Sequence, residues 1–222
     1  MSPSRPAGAY TRKRSSKWSE DDRFLIKADK VLAEVIKQAG PIDPDSDRRG
    51  SRPDPFQALS RAIVGQQLST KAARTIWERV VEQIGSETPT PKAVLSADPD
   101  RLREAGLSRS KVSFLRDLAE RVEDGRLDLA RLKNLPDEDV IAALIEVKGI
   151  GRWTAEMFLM FHLARPDVVS VGDLGIRRAI QIAYGLKELP DPTQMERISG
   201  PWRPHRTLAC LYLWRSLDNA PG

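Results

Sequence analysis

The stretch Leu144–Ala155, which reads LIEVKGIGRWTA, constrains the fold more than any other part of the chain. Apolar residues recur at helical spacing on both sides of it, and two glycines, Gly149 and Gly151, interrupt the pattern. Glycine permits a positive φ and the close approach of another backbone. The pattern therefore predicts two helices within residues 136–162, joined by a tight turn whose N–H groups face outward at the start of the second helix. Such a turn binds a phosphate.

The rest of the chain has the same helical periodicity, and no alternating strand pattern of any length occurs. These patterns predict an all-α fold of about ten helices, a two-lobed helical bundle with a cleft between the lobes. Residues 18–55 and 174–222 form the predicted terminal lobe, and residues 56–173 form the central lobe with the hairpin. The first predicted helix runs without interruption from Ser19 to Gly40.

A break in the helical pattern at residues 65–68 contains two adjacent glutamines, Gln66 and Gln67. Ser69 follows the break and is the predicted N-cap of the next helix. Glutamines at a junction between helices can hydrogen-bond base edges or fill a gap in a base stack. Surface glutamines in a loop are also unremarkable by themselves, so the sequence leaves both interpretations open.

The charge of the chain is concentrated at its start. The formal net charge is +5, but five of the 36 basic residues lie in residues 1–17, which contain no acid, so the remainder has 31 bases against 31 acids. We therefore expect residues 1–17 to form a disordered basic tail, which adds a non-specific, salt-sensitive attraction to nucleic acid. Any such affinity of the folded body must come from the local arrangement of its charges.

Other features of the composition indicate a compartment. No run of about 18 apolar residues occurs, which excludes a membrane-spanning helix. The single cysteine, Cys210, cannot form an internal disulfide, and the N-terminus lacks the apolar core of a signal peptide. Both observations suit a reducing, intracellular environment.

A candidate catalytic carboxylate follows the hairpin. Asp173 begins a predicted helix after a loop that contains Pro166 and Gly172. In most proteins an aspartate at this position only caps the helix, since it accepts N–H groups at the positive end of the helix dipole. A carboxylate fixed in this way can also stabilise positive charge that develops in a reaction.

Four motifs in a fixed order resemble those of a known family: RAIVGQQLS at Arg61–Ser69, GIGRWTA at Gly149–Ala155, Gly172-Asp173, and WRPHR at Trp202–Arg206 running on to YLWR at Tyr212–Arg215. They resemble the helix-hairpin-helix superfamily of base-excision DNA glycosylases, and within it the alkylation-repair branch, 3-methyladenine DNA glycosylase II. The resemblance covers roughly residues 56–215.

The resemblance implies an enzyme that flips a damaged base out of double-stranded DNA and hydrolyses its N-glycosidic bond. Asp173 is the implied catalytic carboxylate. The implied base pocket contains Trp153, Trp214 and Met157, and the two indole rings would stack on an alkylated, cationic purine of the 3-methyladenine or 7-methylguanine type. The implied DNA-binding residues are Gln66, Gln67, Ser69, Lys148, Gly149, Gly151, Arg152 and Thr154. We expect the protein to act as a monomer on DNA inside the cell.

The chain departs from the family pattern at two positions. Trp153 occupies the position at which bifunctional members carry a lysine that forms a Schiff base with the sugar, so the resemblance implies a monofunctional hydrolase without lyase activity. Met157 replaces another pocket aromatic. By the same matching, Gln67 is the residue that enters the gap left by the flipped base.

No cofactor is expected to be required. Members of the superfamily often hold a monovalent cation in the hairpin, and the corresponding ligands for Na⁺ or K⁺ here are the backbone carbonyls of Ile145, Val147 and Ile150. Two alternatives stay open on the sequence: a glycosylase for another class of lesion, and a non-catalytic helix-hairpin-helix module that only binds the DNA backbone, with Asp173 as a helix cap.

Overall fold

The computed structural model describes residues 17–43, 54–85 and 88–218. The predicted basic tail lies outside the described residues except for Lys17. The described chain is all-helical and contains no β-strand, which confirms the predicted fold class. Its helices are α1 (Glu20–Ala28), α2 (Lys30–Ala39), α3 (Pro55–Gly65), α4 (Thr70–Ile84), α5 (Pro91–Ser96), α6 (Pro99–Glu104), α7 (Arg109–Glu123), α8 (Asp137–Ile145), α9 (Arg152–Met157), α10 (Leu174–Ala183), α11 (Pro192–Ser199) and α12 (Arg206–Asp218).

Side-chain caps fix the start of most helices. A Ser, Thr or Asp precedes α1 to α7, α10 and α11, and its side chain accepts an N–H of the first turn in each case. The predicted cap at Ser69 is among them and is confirmed, with its hydroxyl oxygen accepting the Ala72 N–H at 3.3 Å. In contrast, α8 and α9 begin without a side-chain cap.

The prediction of one helix from Ser19 to Gly40 was wrong. The chain turns at Asp29, whose extended backbone ends α1 and whose carboxylate caps α2. Local periodicity did not reveal this break, because apolar residues continue through it. The interruption is stabilised by distant donors, since Asp29 also accepts hydrogen bonds from Tyr184 and Trp202.

The chain divides into two compact units. The first contains residues 52–163 and therefore α3 to α9. Its core is formed by apolar side chains from α3, α4, α7 and α8, including Leu59, Ile63, Val80, Leu118 and Leu144. A five-residue π-helix, Phe158–His162, continues α9.

The second unit contains, of the described residues, 17–43 and 164–218, and therefore α1, α2 and α10 to α12. Its central element is α12, in which every residue from Leu208 to Trp214 is buried. A helix that is apolar on all sides suits this central position. None of the described helices of either unit is both long and apolar enough to span a membrane.

The loop that leads to Asp173 belongs to the second unit, whereas the sequence prediction placed residues up to 173 in the central lobe. The start of α12 binds this loop. The Thr207 hydroxyl donates to the Arg165 carbonyl at 2.7 Å and accepts the Val168 N–H at 3.0 Å. Arg206 pairs with Asp167 at 2.7 Å.

Candidate active site and DNA-binding loops

The hairpin turn joins α8 to α9, as the sequence predicted. Gly149 adopts a φ of +80°, a conformation that L side chains rarely adopt. A second reason also requires glycine here, because a Cβ at this position would lie only 2.1 to 2.5 Å from the ring of Phe114 on α7. The ring would have to move before any other residue could be accommodated.

Asp117, also on α7, binds the residue that precedes this glycine. Its Oδ2 accepts the backbone N–H of Lys148 at 2.9 Å and the Arg121 Nε–H at 3.0 Å, while its Oδ1 lies 3.5 Å from Lys148 Nζ. Burial raises the pKa of Asp117, but the hydrogen bonds from Lys148 and Arg121 outweigh it and leave the pKa below its ordinary value. Sequence spacing does not predict this contact, because Asp117 and Lys148 lie 31 residues apart.

The guanidinium group of Arg152, which was predicted to bind DNA, forms ion pairs with acidic residues of the protein at its surface. It donates to both carboxylate oxygens of Glu138 at 2.6 and 3.0 Å and to Glu156 at 2.9 Å. The hydrogen bond to Glu138 is the largest cause of its raised pKa. The Arg152 side chain therefore connects α8 to α9. Thr154, also predicted to bind DNA, is only 7 % exposed. The start of α9 offers backbone N–H groups instead, since the first turn of a helix lacks internal acceptors and this one lacks a side-chain cap.

The turn between α3 and α4 is attached to the hairpin. The Gln66 side-chain amide donates to the Gly149 carbonyl at 2.7 Å. The Lys111 ammonium group on α7 donates to the carbonyls of Val64 and Gln66 at 2.8 and 2.7 Å. Gln67 is exposed and adopts a φ of +59°, which is uncommon for a residue other than glycine.

Asp173 caps α10 in the second unit and is only 6 % exposed. Its Oδ1 accepts the Ile176 N–H at 2.7 Å and the indole Nε1–H of Trp214 at 2.9 Å. Gly175 makes room for this arrangement, because a Cβ there would lie 3.1 Å from Asp173 Oδ1 and 3.3 Å from the indole nitrogen. Two donors thus fix the orientation of the carboxylate.

The three predicted pocket residues are placed differently. Trp153 is half-buried in the first turn of α9, and Met157 lies one turn further along the same helix. Trp214 is 1 % exposed, and its indole N–H donates to Asp173 Oδ1. The structure therefore joins two of the predicted site residues, Trp214 and Asp173, by a hydrogen bond.

The carbonyl groups proposed as ligands for a monovalent cation lie at the end of α8 and in the turn that follows. The Val147 carbonyl accepts the Ile150 N–H at 3.0 Å, and the Ile145 carbonyl belongs to the last turn of the helix. Carbonyl oxygens at a helix C-terminus carry partial negative charge and retain a second lone pair. These carbonyl oxygens fit a hard cation such as Na⁺ or K⁺. A monovalent cation in the hairpin stays a proposal.

Residues 60–204 match the family model described as the HhH-GPD superfamily of base excision DNA repair proteins. The chain is similar to a DNA-3-methyladenine glycosidase of Bacillus halodurans, with a TM-score of 0.77, 39 % identity, and coverage of 89 % of this chain and 88 % of that one. It is also similar to the Schizosaccharomyces pombe 3-methyladenine DNA glycosylase Mag1, solved with abasic DNA, with a TM-score of 0.75, 31 % identity, and coverage of 89 % and 96 %.

A putative DNA-3-methyladenine glycosylase of Bacillus subtilis is 32 % identical over 169 residues, which are 73 % of this chain and 59 % of the relative, so the match spans little more than half of that protein's length. Sequence and fold agree across these comparisons. The chain belongs to the HhH-GPD superfamily of base excision repair DNA glycosylases, in its 3-methyladenine DNA glycosylase branch.

Proposed function

We propose that the protein is a monofunctional DNA glycosylase that releases alkylated purines, of the 3-methyladenine and 7-methylguanine type, from double-stranded DNA. The observation that carries the proposal is the buried Asp173 carboxylate, held by the Ile176 N–H and the Trp214 indole in a member of this family. Because two hydrogen-bond donors hold this buried carboxylate in one orientation, it is preorganised to stabilise positive charge that develops beside it.

Asp173 would act as the glycosidic bond lengthens. Positive charge then develops on C1′ and O4′ of the deoxyribose, and a fixed carboxylate stabilises it without reorganisation of solvent. Water adds its oxygen to C1′, its proton passes to Asp173, and the electron pair of the broken C–N bond leaves with the base. An alkylated purine is cationic before cleavage, so it departs as a neutral base and needs no acid catalyst.

Trp153 is the residue we propose for recognition of the base. An indole face attracts an electron-poor cationic ring by about 1 to 2 kcal/mol once both are desolvated. Trp153 is half-buried, which leaves part of its side chain accessible. Met157 would widen the pocket, and Trp214 would act chiefly by holding Asp173.

The hairpin would hold the DNA backbone through N–H groups at the start of α9, independently of sequence. Lys148, Gly149, Gly151 and the Gln66–Ser69 turn would complete this contact, with Gln67 inserted beside the flipped base. Because Trp153 stands where bifunctional relatives carry a lysine, we propose that the base is released by hydrolysis alone and that the abasic sugar stays in an uncut DNA strand.

The test is to incubate the purified protein with methylated duplex DNA and to identify released bases by chromatography. We expect release of 3-methyladenine or 7-methylguanine by the wild type. We expect Asp173→Asn to lower the rate by about 100-fold or more, since it removes the negative charge that stabilises the transition state. Borohydride should trap no covalent adduct between protein and DNA.

Asp191→Asn is the matched control, because Asp191 caps α11 in the same unit with the same kind of hydrogen bond. Asparagine caps a helix as well as aspartate does, so this variant should be fully active. Equal rates for wild type and Asp173→Asn would overturn the catalytic assignment. Tight DNA binding without release of any methylated base would favour another lesion class or a binding module.

A further inference from the structure

Side chains on one side of α7 contact both of the loops that we propose to bind DNA, the α3–α4 turn and the hairpin turn. Lys111, Phe114 and Asp117 follow one another at intervals of three residues, which places them on neighbouring turns of the helix. Each contacts one of the loops, Lys111 the α3–α4 turn and the other two the hairpin turn. We refer to these three residues as the α7 bracket.

The bracket is closed by a direct bond between the two loops. The backbone carbonyl of Gln66 accepts a hydrogen bond from the Lys111 ammonium group at 2.7 Å. The side-chain amide of Gln66 donates to the Gly149 carbonyl, also at 2.7 Å. Gly149 in turn packs against Phe114. The contacts therefore form a ring that runs from α7 to one loop, across to the other, and back to α7.

The contacts of Lys111 indicate that it acts on the protein rather than on DNA. Its ammonium group is half-buried and donates to two carbonyls at the end of α3. Burial lowers its pKa, because the charged form loses contact with water. A lysine that contacts phosphate would instead keep its charge exposed and its donors available.

Gln67 is the residue that benefits from this support. It directly follows the carbonyl that Lys111 binds, and its φ of +59° projects the chain out of the helical path. A non-glycine residue keeps such a conformation only when its surroundings hold it there. We propose that Lys111 is a positioning residue, which fixes the Gln67 turn relative to the hairpin so that the two loops engage DNA as one rigid surface. This inference rests on the proposed function only in taking DNA as the ligand.

The test compares the affinity for two labelled duplexes of one sequence, one intact and one with a tetrahydrofuran abasic-site analogue. Hairpin contacts should serve both duplexes, whereas an inserted Gln67 should favour the abasic one. We expect Lys111→Met to reduce the preference for the abasic duplex by about tenfold, the effect of roughly one well-placed contact. The affinity for the intact duplex should change by less than about twofold, which is within the effect of an ordinary surface substitution. Lys92→Met, which removes an exposed lysine in the same unit, should change neither affinity.

A double-mutant cycle shows whether Lys111 acts through Gln67. Lys111→Met combined with Gln67→Ala should lose no more than Gln67→Ala alone, because a residue that positions another has no effect once the other is absent. The proposal would be overturned if the double variant lost the product of the two single-variant losses in abasic preference. An equal loss for both duplexes would also overturn it, since that result would make Lys111 a phosphate contact.

Two further variants guard against misfolding. Lys111→Arg keeps N–H donors and positive charge and should retain most of the abasic preference. Gln66→Met interrupts the ring of contacts at its other link and should reproduce the selective loss; a normal preference in this variant would contradict the bracket. All of these measurements are of binding, so they remain readable if the wild type releases no base and the catalytic proposal fails.

Discussion

Two aspartates in the second unit accept an indole N–H at the same distance and differ in their other partners. Asp29 accepts Trp202 Nε1–H at 2.9 Å, and Asp173 accepts Trp214 Nε1–H at 2.9 Å. Both cap a helix. The two pairs therefore share a residue combination and a local geometry, yet we assign catalysis to only one of them.

The distribution of donors separates the two sites. Asp29 binds donors with both carboxylate oxygens: Oδ1 accepts two backbone N–H groups of α2, and Oδ2 accepts Trp202 and the Tyr184 hydroxyl. At Asp173, Oδ1 accepts both the Ile176 N–H and the Trp214 indole N–H. The Asp29 arrangement cross-links three segments of the unit. The Asp173 arrangement brings one backbone donor and one indole donor to the same carboxylate oxygen.

Removing the indole N–H from each pair should therefore affect different properties. Trp214→Phe keeps an aromatic ring and deletes the donor, so we expect kcat for release of a methylated base to fall about tenfold through loss of carboxylate orientation. KM and DNA affinity should be unchanged. Trp202→Phe should leave kcat unchanged and lower the free energy of unfolding by about 1 to 3 kcal/mol, because Asp29 Oδ2 loses one of its two donors and a smaller ring replaces a fully buried indole.

The measurements are steady-state kinetics and urea unfolding of both variants. A similar loss of kcat in both would show that the two pairs are equivalent and that the comparison is wrong. Normal kcat in Trp214→Phe would remove the positioning role of the indole while leaving that of Asp173 open to its own test.

A smaller effect should follow from filling the space beside Asp173. An alanine in place of a helical glycine usually stabilises a protein by up to about 1 kcal/mol. In Gly175→Ala the new Cβ would lie 3.1 Å from Asp173 Oδ1, so the carboxylate must shift by a few tenths of an ångström. We expect kcat to fall about threefold, since catalytic groups tolerate little displacement.

Gly200→Ala is the control for this substitution, because no atom lies within 4 Å of its new Cβ. It should be fully active and at least as stable as the wild type. Full activity in Gly175→Ala would mean that the close packing around Asp173 does not matter for turnover.

The smallest expected effect is a dependence of stability on pH at the Asp29 site. Burial raises the pKa of Asp29, but hydrogen bonds from Tyr184, Trp202 and the backbone outweigh it, so the pKa lies below 3.8, its ordinary value. A lowered folded-state pKa contributes stability that is present above the unfolded value and is lost as the pH falls through the folded value.

The difference in unfolding free energy between the wild type and Asp29→Asn should therefore be constant from pH 7 to about pH 5 and shrink at lower pH. Urea unfolding at pH 7, 5 and 3 would measure it. A difference in unfolding free energy that grows toward acid pH would contradict the lowered pKa of Asp29.

The features that the sequence predicted correctly depend on residues close together in the chain. Ser69 caps the helix that begins at the next residue, and Asp173 accepts an N–H three residues away. Gly149 adopts the positive φ that its place between two helices suggested. Such signals are visible in a single sequence because the interacting groups are neighbours.

The features that the sequence did not predict depend on partners far along the chain. Asp29 ends a helix because groups 155 and 173 residues away bind it. Lys111 has the spacing of an ordinary exposed lysine, and only the fold brings it to carbonyls 45 and 47 residues away. The family resemblance placed Trp214 in the base pocket, whereas its hydrogen bond to Asp173, 41 residues away, is visible only in the folded chain.

The internal ion pairs of the hairpin have a consequence for its response to salt. Asp117 Oδ1 lies 3.5 Å from Lys148 Nζ, and Glu138 and Glu156 bind Arg152, so each of the two cations that flank the glycines has an acidic partner in the protein. A phosphate held there by backbone N–H groups would displace few condensed counterions from DNA, and counterion release is what makes binding by lysine and arginine weaken steeply as salt rises. Binding through the hairpin should therefore weaken less with rising salt than binding through unpaired cationic side chains.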